Sequence, residues 1–262
     1  VGLQLYSLRE RLESDGRAEI LRAVRSFGYG AIEPYDVRTD PEQLRADLDA
    51  AGLAVTSVHA KVLGEDAVAF LEGAKIVGAD TVIVPSVPPE RFDSAGSIAA
   101  LASELNAGAA KAADHGLRFG YHNHWFELES IVDGRTGLEV LADALDPAVI
   151  LEVDTYWAAV GGQDVPKLLG RLGDRVRYLH VKDGPITHND DMVAVGQGRM
   201  PVADVLAAAP SAEWHVVELD RCATDMLVAV RESLAWLVEH GLAKRAAASP
   251  GGTRPRTSGG DT

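Results

Sequence analysis

Short runs of β-branched and aromatic residues alternate along this chain with segments whose apolar residues recur every three or four positions. The runs begin near Val1 (VGLQLY), Gly30 (GAIEPY), Ala54 (AVTSVH), Thr81 (TVIVP), Arg118 (RFGYHNH), Ala148 (AVILEVD), Val176 (VRYLHVKD) and Trp214 (WHVVELD), making eight, spaced 24 to 38 residues apart. Alternation at that interval predicts βαβ units and a parallel sheet. Between the runs, Ile20, Leu21, Val24 and Phe27 repeat at helical spacing before Gly28, and Leu227, Val230, Leu234, Leu237 and Val238 do so before Gly241. In Asp40-Pro41-Glu42-Gln43 the pattern reads as an Asp N-cap, Pro at the first helical position and Gln at the third. Leu44, Leu48 and Ala51 then line one face, and Gly52 suits a left-handed C-terminal position. Eight βα units in this length predict an α/β fold, a single (β/α)8 TIM barrel, with a doubly wound open sheet as the second choice. No G-x-G-x-x-G follows the first run, and Gly196-Gln197-Gly198 is a two-glycine turn without the third glycine.

The periodic pattern stops near residue 245. From Ala246 to Thr262 the chain reads AAASPGGTRPRTSGGDT, which has no apolar period with which to build a core. The domain reading is therefore a barrel over 1–245 and a disordered tail over 246–262. Composition then narrows the partners. With 25 Lys+Arg against 39 Asp+Glu, the net charge of −14 argues against a nucleic-acid backbone or an anionic membrane surface. The lone Cys222 excludes an internal disulfide and a multi-cysteine metal site, and reads as a buried small hydrophobe. No apolar run reaches the ~18–20 residues of a membrane span. Charged Arg9, Glu10, Arg11 and Glu13 sit where a signal peptide would be apolar, so a cytoplasmic location is expected.

In a barrel of this kind chemistry gathers at the C-terminal ends of the strands. Those ends carry Glu33; His59; His122 and His124; Glu152 and Asp154; His180 and Lys182; and Glu218 and Asp220. Period-2 parity places His122 with His124, Glu152 with Asp154, His180 with Lys182, and Glu218 with Asp220 and Val216, each set on one face of its strand. Charged groups on buried strands are destabilising unless paired, and a divalent cation is the simplest common partner. Imidazole and carboxylate without thiolate favour Mn2+, Co2+, Mg2+ or Zn2+. Single residues have plainer readings: His59 as a hydrogen-bonded core histidine, Glu152 as a helix cap or partner of an arginine, Tyr156 and Trp157 as rim packing. His115, His188, His215 and His240 read as structural. Gly184 to Met200 is either a lid or a surface loop.

At these residues the chain resembles the sugar phosphate isomerase/epimerase family of xylose isomerase-like barrels. The resemblance rests on GLQLYSLRE (2–10), YHNHWFEL (121–128), EVDTYWAAVGG (152–162), HVKD (180–183), VGQGRM (195–200) and VELD (217–220). It implies one divalent metal ion, Mn2+ by preference, held by Asp154, His180 and Glu218, with His122 matching the strand-five ligand and His124 or Glu127 as alternatives for it. Ketose epimerases of this superfamily have a Glu at that strand-five position and a substrate-binding His where Trp157 stands. The YHNH variant is similar to inosose-dehydratase-like and keto-glycoside-processing members. The implied function is a metal-dependent isomerase or epimerase acting on a keto-sugar or cyclitol through proton abstraction next to a carbonyl and an enediolate stabilised by the metal. A dehydratase or lyase using the same enediolate is the alternative, and a non-catalytic barrel subunit or sugar-binding protein is the reading from another class. Lys182, His59, Glu33 and Glu218 are the candidate catalytic residues, and Trp157, His124 and Tyr6 the candidate substrate contacts. The expected partner is a small-molecule sugar or cyclitol, with no nucleic acid and no membrane; a homo-oligomer or a partner subunit is compatible. The endonuclease IV type shares the barrel, but its trinuclear zinc site needs histidines that this chain lacks.

Overall fold

The computed structural model describes residues 1–247. Its centre is a ring of parallel strands: β1 (Gly2–Gln4), β2 (Ala31–Glu33), β3 in two pieces (Ala54–Val55 and Val58–His59), β4 (Thr81–Val84), β5 (Arg118–His122), β6 (Val149–Asp154), β7 (Val176–Val181) and β8 (Trp214–Val217). Every predicted run contains one of them. The nine segments form one sheet whose two ends are the two pieces of β3. The first piece pairs with β2 and the second with β4. The Thr56 N–H donates to Ile32 O at 3.0 Å and the Ala60 N–H to Ile83 O at 2.9 Å, so one stretch of chain carries the ring from β2 across to β4. The fold is thus the predicted α/β barrel. The break in β3 was not foreseen: at Thr56-Ser57 the ladder gives way to hydroxyls, Ser57 Oγ donating to the Glu33 carboxylate.

Helices return the chain outside the ring, among them Arg17–Phe27, Pro41–Ala51, Ala67–Val77, Ala95–Asp114, Val165–Leu172 and Met226–Glu239. Gly28 and Gly52 end two of them in the left-handed conformation, as their positions predict. Asp40 departs from its predicted role. It has φ +56° and its side chain caps nothing, so Pro41 alone sets the start of that helix. A capping box that the sequence reading missed joins Thr136 and Glu139 at the start of Gly137–Ala144.

The main hydrophobic core lies between strands and helices. Inside the ring the inward faces follow the predicted parity and change character along the strands. Ile83, Ile150 and Tyr178 form a separate apolar plug. Gly120 makes room for it, since a Cβ there would sit 2.9 Å from Ile150 Cγ1. One step further along come Glu33, His59, Glu152 and His180; beyond them lie Asp154, Lys182 and Glu218, all buried. An apolar floor and an ionic upper half are therefore written into alternate residues of the same strands.

The expected tail falls mainly on 248–262, which lie outside the described residues. Its first two residues are described and packed: the Ala246 N–H donates to Gly28 O at 2.9 Å, and Arg25 donates to Ala247 O. No helix among the described residues is long and apolar enough to cross a membrane.

Candidate active site

Two overlapping groups of side chains meet at the C-terminal ends of the strands. His122, Asp154, His180 and Glu218 bring one donor atom each to within 4.8 Å of one another, and so do His59, His122, Glu152 and His180. His122, Asp154 and His180 come from β5, β6 and β7, and Glu218 directly follows β8; His122 and His180 stand one pleat step above the plug and Asp154 two. His180 anchors both. Its Nδ1 lies 2.8 Å from Glu218 Oε2, and its Nε2 lies 2.7 Å from Glu33 Oε2 and 3.2 Å from Glu152 Oε2. His122 places Nδ1 3.1 Å from Glu152 Oε2 and Nε2 3.7 Å from Asp154 Oδ2. His59 places Nε2 2.6 Å from Glu152 Oε2. Lys182 Nζ sits among three carboxylates, 2.6 Å from Glu218, 2.8 Å from Asp220 and 2.9 Å from Asp154.

Burial sets the charges of these groups. It would lower His180, but the carboxylates of Glu152, Glu218 and Glu33 outweigh it and hold the imidazolium well above the usual histidine range. Burial and the neighbouring His180 push His122 well below that range, so it is neutral. Burial and Lys182 push His124 down to about 4. Burial opposes ionisation of Glu152 and Glu218, yet His180 and His59 beside the former, and Lys182 and His180 beside the latter, drive both well below the usual carboxylate range. Burial would also lower Lys182, and Asp154, Asp220 and Glu218 raise it instead. Asp154 differs: burial lifts it to about 6 despite Lys182. That ammonium is shared with two other carboxylates, so Asp154 receives only part of its charge.

A divalent ion fits the outer group by the chemistry of its donors. Asp154 Oδ2 is buried, with Lys182 Nζ 2.9 Å and His122 Nε2 3.7 Å away, while Asp154 Oδ1 accepts the Trp157 N–H at 2.9 Å and is held in place. Two imidazoles and two carboxylates are a hard, oxygen- and nitrogen-rich set. Of the alternatives for the fourth ligand, Glu127 is taken up elsewhere. Its oxygens accept Tyr121 OH at 2.7 Å and the His124 N–H at 2.9 Å. His124 belongs to neither group.

Above this floor opens a cavity of about 520 Å3, with His59, His122, His124, Glu218 and Tyr6 among its lining. Tyr6, 40% exposed, stands edge-on to Tyr35 at the mouth. Other expected site residues lie elsewhere. Glu33 is wholly buried beneath His180, Oε2 accepting Gln4 Nε2 at 2.7 Å and Oε1 accepting Ser57. Trp157 is buried at 4% exposure, with its ring 4.7 Å from that of Trp125 and outside the cavity lining. Glu152 pairs with histidines and with no arginine. Cys222 is half-exposed, contrary to expectation. His188 pairs with Glu129 at 3.0 Å, away from the floor.

The segment after β7 resolves as a pinned surface loop. The Asp183 carboxylate accepts four backbone N–H groups, from Gly184 and Met200 on Oδ1 and from Gly196 and Gly198 on Oδ2, at 2.8 to 3.0 Å. Tyr156 OH accepts two more, from Ile186 and Thr187. The two-glycine turn therefore wraps a carboxylate of the chain itself: a Cβ on Gly198 would lie 2.1 Å from Asp183 Oδ1.

Residues 21–240 match the family profile described as xylose isomerase-like TIM barrel. The chain belongs to that family. Members of this xylose isomerase-like family include isomerases, epimerases and dehydratases. An inosose dehydratase of Geobacillus kaustophilus is 27% identical over 191 residues, which span 63% of this chain and 61% of that protein. A sugar phosphate isomerase/epimerase from Parabacteroides distasonis superposes with a TM-score of 0.78 at 23% identity, over 93% of this chain and 95% of that one. An L-ribulose 3-epimerase superposes with a TM-score of 0.61 at 18% identity, over 92% and 94% of the two chains. At these identities the structural likenesses are likenesses of fold.

Proposed function

We propose that this barrel is a divalent-metal-dependent enzyme that moves a proton next to the carbonyl of a keto-sugar or cyclitol. The observation that carries the reading is the convergence of His122, Asp154, His180 and Glu218 at the floor of an open cavity. An ion held by these four would supply Lewis-acid polarisation of a substrate carbonyl and stabilise the negative charge that develops on its oxygen; Mn2+ is the first choice, with Co2+, Mg2+ and Zn2+ behind it.

The chain's own residues do the rest. His59 lines the cavity and gives Nε2 to Glu152, while Nδ1 has no hydrogen-bond partner among the described residues. Burial would lower His59, but the carboxylates of Glu33 and Glu152 raise it above the usual histidine range and make it the stronger base, with Nδ1 the atom that would take the proton from the carbon next to the carbonyl and return it. Glu218 and Asp220 line the same cavity, and Lys182 Nζ holds both, at 2.6 and 2.8 Å, offsetting part of their charge as the proton moves. Tyr6 and His124 border the space where a polyol would lie. Return of the proton to the neighbouring carbon isomerises the substrate. Protonation of the same carbon from its opposite face, by a second group facing His59 across the substrate, epimerises it. Departure of a β-oxygen with a proton eliminates water or an alcohol. The similarity to an inosose dehydratase favours elimination as the second reading.

Elemental mass spectrometry on wild type, Asp154→Ala and His180→Ala tests the ion. About one equivalent in wild type, lost in both variants, is the expected result. Deuterium uptake from D2O into keto-sugars and inososes then tests the proton step, and His59→Gln should slow it by about 10²–10⁴-fold. A wild type that binds no ion after reconstitution overturns the enzyme reading in favour of a sugar-binding or partner-subunit role.

A further inference from the structure

Every imidazole at the cavity floor has two nitrogens, and the layer beneath accounts for which one faces out. His122 turns Nδ1 inward to Glu152 Oε2 at 3.1 Å and Nε2 outward to Asp154. His180 turns Nε2 inward to Glu33 Oε2 at 2.7 Å and Nδ1 outward to Glu218. His59 turns Nε2 inward to Glu152 Oε2 at 2.6 Å, leaving Nδ1 to the cavity. All the inward nitrogens end on two carboxylates, and both carboxylates are wholly buried. Glu33 is itself fixed by Gln4 and Ser57. Glu152 touches two of the proposed ligands, His122 and, at 3.2 Å, His180, and the proposed base at the same oxygen.

The geometry points to Glu152 as a positioning residue that sets the tautomers of His122 and His59 together, so that His122 Nε2 and His59 Nδ1 present lone pairs to the ion and the substrate. This inference rests on the metal-dependent reading above. A neutral imidazole has one N–H and one lone pair, and an ionised carboxylate only accepts. In the neutral form of each ring the proton therefore stays on the inward nitrogen and the outward nitrogen carries the lone pair. The alternative role for Glu152 is ligation of a second ion by the inner group. His122 and His180 would then need both their nitrogens on metal, bridging two ions through two rings. One carboxylate orienting the rings for one ion requires no such bridging.

The test uses full-length protein labelled with 15N at histidine and loaded with Cd2+. Long-range 1H–15N spectra should show His122 protonated at Nδ1 and His59 at Nε2; the opposite tautomer at either ring overturns the inference without any variant. In Mn2+ titrations by calorimetry, Glu152→Gln should still bind one ion, with affinity lowered by about 10–100-fold. Glu127→Gln removes an equally buried carboxylate that touches no ligand ring, and should keep the wild-type affinity. Unchanged affinity in Glu152→Gln overturns the inference, as does an equal loss in both variants or a fall from two ions to one. A wild type that takes up no ion, with the expected tautomers in the metal-free spectrum, overturns the proposed function while leaving the orienting role of Glu152 standing.

Discussion

Glu127 shows how one buried side chain makes stability depend on pH. Burial lifts it to about 7, although Tyr121 OH and the His124 N–H both favour its charged form. Between the unfolded value of about 4.5 and the folded value of about 7, the folded state holds more protons than the unfolded one, so stability falls as pH rises through that window. The fall amounts to an order of 3 kcal/mol. Urea unfolding of the metal-free protein at pH 5 and pH 7.5 should show a steeper decline in wild type than in Glu127→Gln; Asp154, lifted in the same direction, contributes equally to both. At this scale the cluster was legible because alternation alone puts His122, Asp154, His180 and Glu218 on inward faces. Glu152 was legible in position and not in partner: parity along β6 says nothing about what β3 and β7 present across the ring. The packing of Trp157 against Trp125 was not legible for a related reason, since a residue in the first turn of the helix Thr155–Val160 no longer follows strand parity.

Among elements, the loop from Gly184 to Met200 depends on a single carboxylate. Four N–H groups converge on Asp183, and Gly198 passes too close for any side chain. Gly198→Ala should cost about 1–3 kcal/mol by overpacking. It should also expose the loop to limited proteolysis while leaving far-UV circular dichroism unchanged. The glycine turn was visible as a motif, but its purpose was not, because the anion it cradles is fifteen residues earlier in the same chain. The strands and their order were readable from periodicity. The break at Thr56-Ser57 was not, since both residues suit a strand, and the break follows from Ser57 turning inward to Glu33. Asp40 shows the converse: a good capping residue in a good capping position, held instead in the left-handed region.

The molecule as a whole stacks an apolar plug beneath ionic layers within one ring. The upper layers carry Asp154, Glu218 and Asp220 against Lys182, an excess of carboxylate that a bound cation would offset. Ion binding to the folded state alone stabilises by about 2.7 kcal/mol at a hundredfold excess over Kd, or about 5–10 °C in Tm for a chain of this size. Scanning calorimetry with Mn2+ and after chelation should show that shift in wild type and not in Asp154→Ala. The stacking also gives the barrel a direction. The cavity opens where the strands end, whereas Val1 enters at their beginning and Ala246 returns to Gly28 just ahead of β2. Both ends of the described chain therefore leave from the face opposite the mouth. A tether or tag joined at Val1 or at Ala247 would start from the base of the barrel, on the side away from the opening through which substrate enters.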